Sequence, residues 1–175
     1  FNRIDFSADG YQVTPVVMSN ERKEILNDNL MMFFTGFSRF SSDIQTSTQA
    51  VLKDKTAQLL EMYSLVDTAQ GILTDKNSDL NDFGRLLDHT WKLKRGITTR
   101  ISTNSLDEIY EKAMSAGALG GKLLGAGGGG FFVFYVEPEK RKSVMQALDK
   151  LLYIPFRFED SGTRVIYFDA EDYQI

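Results

Sequence analysis

Cysteine is absent from the 175-residue sequence, which excludes a disulfide framework, a thiolate nucleophile and a cysteine-based metal site. Histidine occurs once, at His89, so a histidine-rich metal centre is excluded as well, and no metal ligands are assigned. No apolar run approaches the roughly 20 residues that cross a bilayer. The longest, Phe131 to Val136, has the length of a buried strand. A basic leader followed by an apolar core is also missing, so the expected location is the cytoplasm, with no membrane partner. The formal net charge of −4 leaves no excess of cations to track a phosphate backbone, which argues against nucleic-acid binding.

What is present suits a globular domain: 42% hydrophobic and 25% charged residues, in a length that buries one core. The chain opens at Phe1, without an initiator methionine and already in strand-like sequence, and is therefore expected to be the later part of a longer polypeptide. Phe1 to Ser7 and Tyr11 to Val17 flank Ala8-Asp9-Gly10, and Asp-Gly between β-rich runs predicts a hairpin with positive φ at both turn residues. A short polar helix is expected over Asn20 to Asp28, then a strand over Leu30 to Phe34 ended by Thr35-Gly36. From Ser38 the pattern turns helical, and Val51, Leu59, Met62, Val66, Ala69 and Leu73 build one apolar stripe. Asn77-Ser78 break that helix and offer a cap. Leu80, Phe83, Leu87 and Trp91 mark the next helix, with Trp91 in the core. Ser105 and Glu108 fit a capping box for a helix to about Ala116. After the glycine-rich stretch Gly117 to Gly130 come a strand over Phe131 to Val136 and a helix from Glu137-Pro138-Glu139 to about Leu152. Ile154 to Phe158 and Arg164 to Phe168 read as further strands. About six strands and five or six helices, mixed along the chain, predict one α+β domain: an antiparallel sheet with helices packed on it.

Seven of the eleven residues from Gly120 to Gly130 are glycine, a composition that is costly to order unless backbone must approach something closely or take positive φ. Gly125-x-Gly127-x-x-Gly130 has the spacing of a dinucleotide fingerprint, but that motif opens a helix and here a strand follows. A Walker A loop ends in Gly-Lys-Ser/Thr, whereas Lys122 precedes the glycines. Two readings stay open on the residues alone. One is a tight strand-to-strand connection packed under another loop; the other is a phosphate-proximal loop whose bare N–H groups cup an anion.

The run Gly-Gly-Lys-Leu-Leu-Gly-Ala-Gly-Gly-Gly-Gly-Phe, Gly120 to Phe131, resembles the third signature motif of the GHMP kinases, a family of small-molecule kinases that includes galactokinase, homoserine kinase, mevalonate kinase and phosphomevalonate kinase. Phe1 to Gly10, Leu30 to Ile44, Leu87 to Gly96 and Ser161 to Phe168 resemble its heptose 7-phosphate kinase subgroup, so the resemblance covers essentially the whole chain. It implies a GHMP C-terminal domain over residues 1–175, a ferredoxin-like core with extra helices, with 1–17 a hairpin that ends a missing N-terminal kinase domain. It implies phosphoryl transfer from ATP, with Mg2+, to a hydroxyl of a sugar or sugar phosphate, heptose 7-phosphate or a related sugar. In the family this loop abuts the ATP-phosphate loop, and Gly125, Ala126, Gly127, Gly128, Gly129 and Gly130 would carry that role here. The family's Pro-x-x-x-Gly-Leu-Gly-Ser-Ser-Ala-like loop has no counterpart in the sequence, and its catalytic aspartate would fall before Phe1. The resemblance thus assigns no catalytic residue to this chain, gives most ATP and Mg2+ binding to the missing half, and leaves a homodimer open. Asp5 and Asp9 are hairpin residues and do not replace the base.

Thr35, Gly36, Ser38 and Arg39 join a strand to a helix, where unpaired N–H groups and a guanidinium attract anions. The alternative is an ordinary N-cap with a solvated Arg39. Lys94 and Arg95, with Lys92 and Arg100, cluster at and after a helix C-terminus, either as charge favoured by the dipole or as a wall for an anionic sugar phosphate. Thr35, Gly36, Ser38, Arg39, Lys94 and Arg95 are therefore the candidate substrate-binding residues, and His89 receives no catalytic role. The competing function is a non-catalytic ligand-binding or regulatory module that kept the scaffold.

Overall fold

The structure is a computed structural model that describes residues 1–37, 49, 51–99, 101–125, 127–163 and 165–167. Among the described residues, strands β1 (Asn2–Ser7) and β2 (Gly10–Pro15) pair only with each other, with Ser7 opposite Gly10. The turn is Ala8-Asp9, neither with positive φ, and Gly10 (φ +135°) opens β2. This corrects the expectation of an Asp-Gly turn: the Asp9 N–H donates to Ser7 Oγ at 3.3 Å, which holds the turn one residue earlier.

Helix α1 (Asn20–Asp28) is capped by Ser19, whose hydroxyl accepts from the Arg22 N–H at 3.2 Å. Strand β3 (Leu30–Phe34) follows. Ser38 to Thr48 of the anticipated helical stretch lie outside the described residues, and a 3-10 turn at Leu52–Lys55 leads into α2 (Thr56–Thr74). The Arg22 guanidinium donates to the Ile72, Leu73 and Ser78 carbonyls, giving the end of α2 partners that a helix terminus lacks by itself. Leu59 and Met62 pack inward, but Val66 is exposed together with Leu60 and Tyr63, so the stripe is narrower than its spacing suggested.

Helix α3 (Asn81–Arg95) and helix α4 (Asn104–Ser115) follow. The cap of α4 is Thr103, which accepts from the Leu106 N–H, two residues before the expected Ser105. With Thr103 as cap, the third helical position falls on an apolar residue, Leu106, and no capping box forms. Strands β4 (Gly120–Leu123) and β5 (Phe131–Tyr135), helix α5 (Arg141–Ala147) and strand β6 (Leu152–Ile154) complete the fold. Part of the glycine-rich stretch is therefore an edge strand. The final strand sits earlier than expected because Pro155 has no N–H to continue the ladder. Of the strand expected over Arg164 to Phe168, Arg164 and Phe168 lie outside the described residues, and Val165, Ile166 and Tyr167 are exposed and in no strand.

The four-stranded sheet has the order β4-β5-β3-β6 with every pair antiparallel. Read along the chain as strand, helices, strand, strand, helix, strand, this is the ferredoxin-like arrangement expected from the sequence. One face carries Met31, Phe33, Gly121, Leu123, Phe132 and Phe134, and packs on Trp91, Leu106, Tyr110, Ala113, Val144 and Leu148. Burying each large side chain contributes about 1.5 to 3 kcal/mol. Trp91 is 1% exposed and meets Phe132 edge-on at 5.7 Å, so it is core as its place on the stripe predicted. On the opposite face Tyr135 is buried with Leu26, Leu73 and Leu80, but Phe131 and Leu152, two rows further along, are exposed.

Two glycines set α3 against the edge strand. A Cβ on Gly120 would lie 1.9 Å from the Gly84 carbonyl oxygen, and one on Gly84 would lie 2.7 Å from Tyr135 Cδ1. Backbone approaches backbone here, and the crossing aims the last turn of α3 at the loop between β4 and β5.

Candidate functional site

The loop from Leu124 to Gly130 joins β4 to β5 and is closed at its base by the Leu124 N–H donating to the Phe131 carbonyl at 2.8 Å. It is stapled on two sides. The Gly128 N–H donates to Ile101 O at 2.9 Å, and the Gly130 N–H donates to Phe37 O at 2.8 Å. Thr35 sends both its N–H and its hydroxyl to Gly130 O, each at 2.9 Å. Thr35 is buried at 4% exposure and its hydroxyl also accepts from the Phe37 N–H; it joins strand β3 to the loop.

Gly125, Gly127, Gly128, Gly129 and Gly130 all have positive φ, between +74° and +155°. Their surroundings differ. A Cβ on Gly129 would sit 2.5 Å from Phe37 O, and one on Gly127 would sit 3.0 Å from both Cα and O of Ile101. Gly125 would meet nothing within 4 Å and Gly130 only an oxygen at 3.9 Å. The N–H groups of Gly125, Gly127 and Gly129 have no acceptor among the described residues. The loop is packed under two neighbouring segments, and alternate backbone donors along it have no acceptor among the described residues.

Cations ring this loop unevenly. At the end of α3, Lys92 pairs with Asp88 at 2.7 Å. Arg95 pairs with Asp107 at 2.9 Å, on an oxygen that also accepts from Ser102 Oγ, and lies over the Tyr110 ring at 5.9 Å. Lys94 has no carboxylate among the described residues; its ammonium donates to the Gly125 carbonyl at 2.7 Å. Lys122 shares a face of the sheet with Met32 and Val133 and has no hydrogen-bond acceptor or carboxylate among the described residues. Burial lowers the pKa of both lysines, and the charge of Lys122 lowers that of Lys94 further.

Residues 69–154 match the family model described as GHMP kinases C terminal. The chain carries a GHMP kinase C-terminal domain. D-glycero-alpha-D-manno-heptose 7-phosphate kinase of Campylobacter jejuni is 30% identical over 139 residues, covering 79% of this chain and 41% of that protein. A mevalonate kinase of Thermococcus onnurineus is 32% identical over 112 residues, covering 61% and 33% of the two chains. Among solved structures, a D-glycero-D-manno-heptose 1-phosphate kinase from Bacteroides thetaiotaomicron superposes with a TM-score of 0.55 at 27% identity, over 90% of this chain and 42% of that one. The chain thus spans less than half the length of these relatives. The stapled loop lies inside the matched segment, as do Lys94, Arg95 and Lys122.

Of the candidate residues, Thr35, Gly36, Lys94 and Gly125 to Gly130 gather at this loop, with Ala126, Ser38 and Arg39 outside the described residues, as is Arg100. Arg95 is engaged by Asp107. His89 is exposed and ties α3 to α2 through Glu61 at 2.8 Å. The sequence does not mark Lys122 as a site residue, because the glycines of Gly120–Leu123 carry no strand signal. In a strand the period of two places Lys122 on the face opposite Gly121 and Leu123.

Proposed function

We propose that this domain is the C-terminal part of an ATP-dependent sugar kinase, transferring a phosphoryl group to a hydroxyl of heptose 7-phosphate or a related sugar. The observation that carries the reading is the glycine loop, whose Gly125, Gly127 and Gly129 N–H groups have no acceptor among the described residues and which has Lys94 on its Gly125 carbonyl, in a chain 30% identical to a heptose 7-phosphate kinase. Phosphoryl transfer depends mainly on positioning and on stabilising charge on the transferred group. Backbone N–H groups and an ammonium fit that task, and in this chain they would hold phosphate oxygens. Among the described residues no group of three or more acidic or histidine side chains could hold a metal ion, so no magnesium step is assigned to these residues. Ser38 and Arg39, directly after Phe37, remain proposed contacts for the acceptor's own phosphate.

The catalytic base, the main phosphate loop and most of the ATP and Mg2+ contacts would come from a preceding domain, to which the β1–β2 hairpin would belong. Support comes from its pairing with no other strand among the described residues and from the exposure of Ile4, Phe6, Tyr11 and Val13. It touches the rest of the chain through Arg3 on Asp67 and Gln70, and through Phe1 against Phe158.

The test is ATP consumption by the longer protein and by this chain alone, with heptose 7-phosphate, fucose, galactose and mevalonate offered as acceptors. A sugar or sugar phosphate should be turned over by the longer protein at about 1 per second or faster, and by this chain not at all. Turnover of mevalonate alone would move the assignment to another branch of the family, and no turnover of any acceptor would favour a binding module.

A further inference from the structure

We infer that Lys94 and Lys122 form a two-cation clamp for a phosphate-type dianion at the entry of the glycine loop, with Lys122 an additional binding residue of this site. Three observations converge. Every other described cation near the end of α3 has a carboxylate: Lys92 has Asp88 and Arg95 has Asp107. Among the described residues Lys94 and Lys122 have none, and the charge of Lys122 acts on Lys94. Both ammonium groups are partly buried and carry the same charge, and burial disfavours the charged form of each, a cost that a bound dianion would relieve.

The elements aim them at one place. Lys94 reaches from the last turn of α3 to the Gly125 carbonyl, and Lys122 stands on edge strand β4, three residues before Gly125. The N–H groups of Gly125, Gly127 and Gly129 at the same loop lack acceptors among the described residues. A phosphate brings two negative charges and three or more acceptor oxygens, enough to engage both ammonium groups and a backbone donor together. A neutral hydroxyl or a single carboxylate would leave one cation unmatched.

The ligand source follows from the phosphoryl-transfer reading above, on which the inference rests: either the polyphosphate of the nucleotide or the monoester of the acceptor. The experiment needs no turnover. The 175-residue chain is titrated with pyrophosphate and, separately, with glucose 6-phosphate, following the amide resonances of the glycine loop by NMR. Saturable shifts at Gly125 and Gly127 are expected. Lys94→Met and Lys122→Met should each weaken binding about tenfold or more, the size of effect a lost charge-assisted contact brings. Lys122→Arg should stay within roughly threefold of the wild type because it keeps the charge, and Lys150→Met should match it. Tighter binding of pyrophosphate assigns the clamp to the nucleotide; tighter binding of the sugar phosphate assigns it to the acceptor. Unchanged affinity in both methionine variants, or no binding of either anion, overturns the clamp. Binding without kinase activity in the longer protein would remove the kinase reading and leave the clamp standing. Kinase activity insensitive to both methionine variants would do the reverse.

Discussion

Gly129 and Gly125 share a loop and a positive φ but are glycine for different reasons. At Gly129 the missing side chain leaves room for the Phe37 carbonyl, so the residue is fixed by its neighbours. At Gly125 an added Cβ would meet nothing within 4 Å, so the φ of +83°, and not a neighbouring atom, is what favours glycine there, and the space beside its Cα is open. One end of the loop is a structural joint. The other is a surface that backbone alone presents, and an oxygen can come close to it without meeting a Cβ. Glycine content by itself does not separate these roles; the surroundings of each missing Cβ do.

The comparison breaks most directly at the joint. Gly129→Ala places a methyl group 2.5 Å from Phe37 O, where only backbone movement can relieve the clash. The expected loss is about 3 kcal/mol, roughly 6 to 12 °C in Tm for a chain of this length, read by circular-dichroism melts. A Tm equal to the wild type would mean that the staple to Phe37 carries little. Gly125→Ala sharpens the other side. The strain of a non-glycine residue at this φ is about 1 to 2 kcal/mol, so its melt should fall less than that of Gly129→Ala. In the longer protein, however, its kcat/KM for the sugar acceptor should drop roughly ten- to a hundredfold, because the methyl group occupies the approach to the loop. Equal melts for the two variants, or undiminished kinetics for Gly125→Ala, would abolish the distinction.

The smallest effect has the opposite sign. Lys122→Met removes one of two partly buried ammonium groups and keeps an apolar stem of similar length, so a modest rise in Tm is expected at neutral pH, as when residues held for binding are replaced. The pH dependence follows from the direction of the shifts. Burial holds the folded-state pKa of Lys94 and Lys122 below the usual 10.5, so protonation favours the unfolded chain. The penalty is present in full below the folded pKa and fades as pH rises toward 10.5. The Tm difference between Lys122→Met and wild type should therefore shrink across that alkaline window. A difference that stays constant with pH would show that charge at this position does not set it.

Much of the fold was legible because its signals are local. Alternation and apolar runs mark β3 and β5, three-and-four spacing marks α3, and the mixed order of elements gives the antiparallel sheet. The departures have physical causes of longer range. Nothing local shows that Pro155 ends the pairing of β6, or that residues 165–167 are in no strand. Strand β4 was hidden because two of its four residues are glycine, whose small size serves the crossing with Gly84 rather than any strand preference. The site was legible as a motif but not as a division of labour. Lys94 and Arg95 are adjacent in sequence, yet Asp107, twelve residues beyond Arg95, engages one of them and leaves the other to the loop. Which cation keeps a carboxylate is decided by α4, and no spacing in α3 reveals it.

Trp91 gives the domain a built-in optical reporter. It is the single tryptophan of the sequence, and its buried indole N–H has no hydrogen-bond partner among the described residues. A ring held among Tyr110 and Phe132 emits without a polar group to relax its excited state, so the native protein should fluoresce toward the blue and shift to the red on unfolding. The ring lies one helical turn before Lys94. Intensity changes on adding pyrophosphate would therefore follow occupancy of the lysine pair in the unlabelled protein, in a stopped-flow mixing experiment as readily as at equilibrium.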